Sequence, residues 1–146
     1  MNLSRITRTA ALAGLLAAGL FSARAYADSL MFHAMLDAAT EVPPKASKGT
    51  GMLMATLDTK TKQLSYEITY SGLTGAATMA HFHGPALPGA NAGVAVPFKD
   101  PASGAKGTVT LTDAQIADLE AGKWYVNVHT AANPGGEIRG QVTEMK

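Results

Sequence analysis

Histidine is the residue type best placed to do chemistry in this sequence, and three of its four copies sit in a pattern. In His81-Phe82-His83 the two imidazoles are separated by one residue. On a β-strand, residues i and i+2 share a face, with Cα atoms roughly 6–7 Å apart. That spacing lets two ring nitrogens converge on one ion. His129 ends the run Tyr125-Val126-Asn127-Val128-His129, in which Val126 and Val128 point one way and Asn127 and His129 the other. In both segments the apolar residues can face a core while the histidines face outward. The competing reading is a pair of exposed strand histidines with no ligand, because a metal site needs a third and usually a fourth donor.

Three imidazoles without a thiolate suit copper or zinc, and Cu(II) stands first in the Irving–Williams order, with zinc second. Two residues are candidates for a fourth ligand. His33 is either that ligand or an exposed strand histidine. Met79 shares the face of His81 and His83; its thioether would favour Cu(I), and otherwise it is a packing methionine. Met31, Met35, Met52, Met54 and Met145 are also present, but without the clustered repeat of a methionine-rich copper-transport motif.

Other chemistries are excluded. The chain has no cysteine, which removes thiolate zinc sites, iron–sulfur clusters and cysteine nucleophiles. No serine lies in a nucleophile-elbow context. Asp37 and Glu41 lack the partner arrangement of a glycosidase. Gly84-Pro85 and Asn133-Pro134-Gly135-Gly136 read as turns rather than phosphate-binding loops.

The elements that must position the histidines are short and β-rich. Strands are expected near residues 30–36, 51–58, 63–71, 79–83, 93–98, 107–111, 124–129 and 136–142, divided by Pro, Gly, Asn and Asp turns. In the third, Leu64, Tyr66, Ile68 and Tyr70 alternate with Ser65, Glu67 and Thr69. About eight such strands read as an antiparallel sandwich or barrel. One helix interrupts them, over about residues 113–121: Thr112-Asp113-Ala114-Gln115 is a capping box, and Gly122 can close the C-terminus.

The first 27 residues read as a targeting segment. Arg5 and Arg8 precede the apolar run from Ala10 to Phe21, and Ala25-Tyr26-Ala27 is a small-residue cleavage site. The run is short for a membrane span, which needs roughly 20 apolar residues. The expectation is a cleaved signal peptide over residues 1–27, a single domain over 28–146 with no membrane span, and a periplasmic or secreted location. Cleavage removes Arg5, Arg8 and Arg24, leaving nine basic groups against eleven acidic ones. With Arg139 the one arginine left and no basic patch, nucleic-acid binding is not expected.

Four stretches carry a family resemblance: Glu41-Val42-Pro43-Pro44, Ala80-His81-Phe82-His83-Gly84-Pro85, the run from Trp124 to Thr130, and the run from Asn133 to Gln141. They resemble the signature segments of the CHRD domain, named for the repeats of chordin and common in exported bacterial proteins. The resemblance spans about residues 30–142 and implies a β-sandwich. A more distant similarity is to copper–zinc superoxide dismutases, eight-stranded Greek-key sandwiches with an H-x-H copper pair, a late copper histidine and a glycine-flanked arginine that guides superoxide. His81, His83, His129 and Arg139 occur in that order, so the resemblance implies an anion-guiding role for Arg139; an ion pair with Glu137 or another acid is the structural alternative. The bridging histidine, zinc ligands and disulfide cysteines of that enzyme are missing.

The expected fold is therefore an all-β antiparallel Greek-key β-sandwich of about eight strands with one short helix. The expected function is copper binding through His81, His83 and His129 by an exported CHRD domain, with superoxide dismutase-like catalysis left open. The alternative is a metal-free interaction or structural module that binds another exported protein.

Overall fold

The structure is a computed structural model and describes residues 28–146; the expected signal peptide lies outside the described residues. Alternation builds the first three strands. In β1 (Ser29–Asp37) Phe32, Ala34 and Leu36 are buried, in β2 (Thr50–Asp58) Leu53, Ala55 and Leu57, and in β3 (Gln63–Ser71) Leu64, Tyr66 and Ile68. Each large side chain taken fully out of water contributes about 1.5–3 kcal/mol, which fixes the register, because a one-residue slip would turn the whole set outward.

The remaining elements are β4 (Ala77–His83), β5 (Val94–Pro97), β6 (Ala105–Thr110), α1 (Asp113–Glu120), β7 (Tyr125–Thr130), β8 (Ile138–Gln141) and β9 (Thr143–Glu144). All pairings are antiparallel, in the order β5-β4-β7-β8-β1-β2-β3-β6, with β9 beside β1. β4 pairs with β7, and β3 with β6, the crossed connectivity of a Greek key. The sheet curls until its two halves share one core. Tyr66 of β3 meets Phe82 of β4 edge-on at 5.3 Å and stacks on Phe98 at 4.2 Å. Trp124, Leu119 and Leu111 fill the same core.

The expected eight strands and the helix are all present; β9 is an addition too short to carry a sequence pattern. α1 begins at the capping box: Gln115 N–H donates to the Thr112 hydroxyl, and the Gln115 side chain accepts from Thr112 N–H. Gly122, at φ +68°, ends it in the left-handed region.

β7 departs from alternation because all six of its residues are buried. Val126 and Val128 face the core, while Asn127 and His129 lie on the opposite face and are nevertheless 3% and 6% exposed. Loops roof that outer face. Ala92 and Pro134 supply carbonyls to its histidines, and Glu41 bonds Asn127. This covered stretch of outer sheet holds the candidate site.

Candidate metal centre

β4 and β7 are adjacent, and their register sets His81 opposite Asn127 and Met79 opposite His129. The outward residues of both strands therefore meet on one patch. His81, His83 and His129 each present a ring nitrogen there, all within 4.8 Å of one another. His81 Nδ1 is 3.0 Å from His129 Nε2.

Hydrogen bonding fixes the tautomers of two of these rings. His83 Nδ1 lies 3.0 Å from the Ala92 carbonyl and His129 Nδ1 lies 2.9 Å from the Pro134 carbonyl. A carbonyl oxygen only accepts, so both Nδ1 atoms carry the proton. Each neutral ring then has a lone pair on Nε2. Both Nε2 atoms lie 2.9 Å from Asn127 Oδ1, itself an acceptor. Lone pairs facing one another are unfavourable unless a cation or a donor stands among them. A protonated His81 Nδ1, 3.0 Å from His129 Nε2, would satisfy that ring, and the contact of His83 Nε2 with Asn127 Oδ1 would still need one. Backbone carbonyls that hold Nδ1–H are also how metal-ligating histidines are commonly oriented.

The surroundings push the rings of His81 and His83 towards the neutral form. Burial, reinforced by the neighbouring His129 and His83, pushes the His81 pKa down to about 4. Burial also lowers that of His83, against the bonds to Ala92 and Asn127 that favour the charged ring. Neutral imidazole is the form that ligates a metal.

Beneath the histidines lies a buried carboxyl. Asn127 Nδ2 donates to Glu41 Oε1 at 3.3 Å. Burial raises the Glu41 pKa, opposed by the bonds from Asn127 and Val42 N–H and by Arg139 and His129. Gly136, at φ +121°, leaves the room this pair needs; a Cβ there would run into Glu41 Oε1 and Asn127 Nδ2.

The other sequence candidates fall around this centre. Met79, directly across from His129, is half exposed at its rim. His33 is not a member of the cluster; it sits on β1 opposite Met54. Arg139 is buried, with its guanidinium carbon 3.4 Å from the Tyr125 ring centroid, and it donates to Asn91 Oδ1 at 2.9 Å and to the Ala90 carbonyl. No ion pair joins it to Glu137 among the described residues. Glu137 instead accepts from Ser47, Thr74, Thr130 and Asn133, at 2.6–3.1 Å. Asn127, Glu41 and Tyr125 enter the site, although none of them was expected from sequence to have a role beside the histidines. The one signal for Asn127 was its outward phase beside His129.

A Greek-key β-domain with a roofed cluster of imidazoles on one outer face is the class that fold and site define. Residues 32–142 match the CHRD domain, and the chain belongs to that family. Comparison with curated proteins and with solved structures finds no match.

Proposed function

We propose that this CHRD domain binds one copper ion through His81, His83 and His129. The observation that carries the reading is the pair of Nε2 lone pairs, fixed by the Nδ1 bonds to Ala92 and Pro134 and converging with His81 on one point. Imidazole suits copper and zinc, and the Irving–Williams order favours Cu(II). Met79, opposite His129, supplies a thioether at the rim that would favour Cu(I).

Binding is supported better than superoxide dismutation. Catalysis needs an approach path for the anion as well as an open coordination position. Arg139 is only 2% exposed, packs on Tyr125, and donates to Asn91 and Ala90. Export to the periplasm or beyond belongs to the same proposal, on the basic, apolar and Ala-x-Ala order of residues 1–27. A mass starting at Asp28 for protein recovered outside the cytoplasm supports it; an intact N-terminus overturns it.

The second reading is a metal-free interaction module, and one arrangement favours it. Turning the Asn127 amide would let Nδ2 donate to both Nε2 atoms, while a protonated Glu41 donates to Oδ1; burial moves Glu41 in that direction.

Calorimetric titration of the metal-free protein with Cu(II) and Zn(II), beside a His81→Ala/His83→Ala variant, separates the two. One-to-one copper binding that disappears in the variant supports the site, and a superoxide assay on the loaded protein then decides whether it is catalytic. Binding no tighter than about 10 μM, roughly 7 kcal/mol, or equal binding in the variant, overturns it.

A further inference from the structure

The antiparallel register of β1 and β2 gathers methionines that the sequence keeps apart. Met31 and Met35 lie on β1, Met52 and Met54 on β2, and all four occupy outward positions. His33 stands at their centre. Met54 is directly opposite it, Met31 and Met35 are its i−2 and i+2 neighbours on the same face, and Met52 is diagonal to it, opposite Met35. Directly opposed residues have Cβ atoms about 4.5–5.5 Å apart and diagonal ones about 7–8 Å, within reach of long unbranched side chains. Met31, Met35 and Met52 are 48%, 65% and 42% exposed, so the core does not account for them.

The histidine adds a second observation. His33 Nδ1 is shielded from solvent and has no hydrogen-bond partner. A buried ring nitrogen left in that condition costs about 1–3 kcal/mol, which a ligand at the nitrogen would recover. The donors around it are one imidazole and four soft thioethers, with the hydroxyl-bearing Thr143 opposite His33 on β9. The nearby carboxylate, Glu67 opposite Met54, is engaged by Lys106 at 3.3 Å. Neighbouring threonine hydroxyls, Thr143 among them, are weak ligands for a hard cation, whereas thioether and imidazole together select a soft, monovalent ion.

We infer that the outer face of β1 and β2 is a second metal site, binding Cu(I) through His33 and thioethers drawn from Met31, Met35, Met52 and Met54. It is separate from the three-histidine cluster and stands whether or not that cluster binds metal, because His33 shares no ligand with it. The thioethers can adjust to an ion, since methionine has three rotatable bonds and Met31, Met35 and Met52 are exposed.

The test is anaerobic titration with Cu(I) against a colorimetric chelator, using a His81→Gln/His129→Gln background in which the first cluster is disabled. That protein should hold one equivalent of Cu(I) and should not take up Zn(II) there. The methyl resonances of Met31, Met35, Met52 and Met54 should shift, while Met79, on β4, stays in place. His33→Gln, or the near-isosteric Met35→Leu/Met54→Leu, should weaken binding by about tenfold or more. Should the double-histidine background fail to fold, His33→Gln in the native chain should lower the Cu(I) stoichiometry by one. Binding no tighter than about 10 μM at this face, unchanged binding in both variants, or a shift confined to Met79 would overturn the site.

Discussion

The imidazole of His83 lies parallel to the Tyr125 ring, with centroids 4.7 Å apart and 1° between planes. The two are direct cross-strand partners, and the Ala92 peptide holds both: its carbonyl accepts from His83 Nδ1–H and from the Tyr125 hydroxyl, which in turn accepts from Ala92 N–H. Arg139 packs its guanidinium against the same phenol ring. Orientation of a proposed ligand thus depends on a residue that donates nothing to the metal.

Replacement of that platform should be felt in affinity. Tyr125→Leu leaves His83 its Ala92 bond but removes the stack, and copper affinity should fall about 10- to 100-fold, the usual range for loss of an orienting partner. Tyr125→Phe keeps the stack and loses only the hydroxyl, at about 1 kcal/mol of stability, so its copper affinity should stay close to that of the native protein. Calorimetric titration of both variants checks the pair. Equal affinity in the leucine variant would show that Tyr125 does not position the ring.

Gly136 makes the space in which Glu41 and Asn127 meet. A Cβ there would strike both side chains, and the backbone at φ +121° is one that other residues adopt only with strain. Gly136→Ala should therefore destabilise the fold by about 2 kcal/mol or more, measured by urea unfolding. It should weaken copper binding as well, because Asn127 touches both His83 and His129. A variant with native stability and native affinity would mean that the loop moves aside at no cost.

Much of this architecture could be read from residue order, for identifiable reasons. Leu64, Tyr66 and Ile68 alternate with polar residues because one face of β3 is dry, and that pattern needs no tertiary information. His81, His83 and His129 shared an outward phase in the sequence, and the pairing of β4 with β7 turned shared phase into proximity. Glu41 could not be read in this way. It lies 86 residues from Asn127 on a loop, where no periodicity marks its direction. Arg139 was expected to guide an anion or pair with Glu137. The folded chain instead packs it on Tyr125 and gives Glu137 to hydroxyls, an exchange that depends on side-chain neighbours rather than on order. The methionines looked scattered because only the β1–β2 register brings 31 and 35 beside 52 and 54.

The helix start offers a prediction independent of any ligand. The Thr112 hydroxyl accepts from Gln115 N–H at 3.2 Å while the Gln115 side chain returns a bond to Thr112 N–H at 3.0 Å. Thr112→Ala leaves one of these backbone donors without its partner and should cost about 1 kcal/mol. Urea unfolding measures it, with copper affinity expected to stay constant because α1 lies outside the cluster. A change below about 0.3 kcal/mol would show that water replaces the cap fully.

Acid should unfold the metal-free protein in two legs governed by different groups. Burial, with help from His129 and His83, holds His81 down at about 4, against 6.5 for a free imidazole. The unfolded chain therefore takes up a proton that the folded chain refuses, and stability is lost as pH falls from about 6.5 towards 4. Glu137 acts lower. Burial alone would raise its pKa, but bonds from Ser47, Thr130 and Thr74 outweigh it and bring the carboxyl to about 2, against 4.5 when free. Its contribution is complete above about 4.5 and fades as pH falls towards 2. Glu137→Gln should remove the lower leg and, by dismantling four side-chain bonds to a buried carboxylate, cost about 3 kcal/mol at neutral pH. His81→Gln should flatten the upper leg while leaving the lower one intact. Urea unfolding at about pH 7, 5 and 3 separates them: Glu137→Gln should change the dependence only below about pH 5, whereas His81→Gln should reduce it above about pH 5, where His83 keeps a share. Parallel curves for His81→Gln and the native protein between about pH 7 and 5 would mean that the ring is not held neutral by its surroundings.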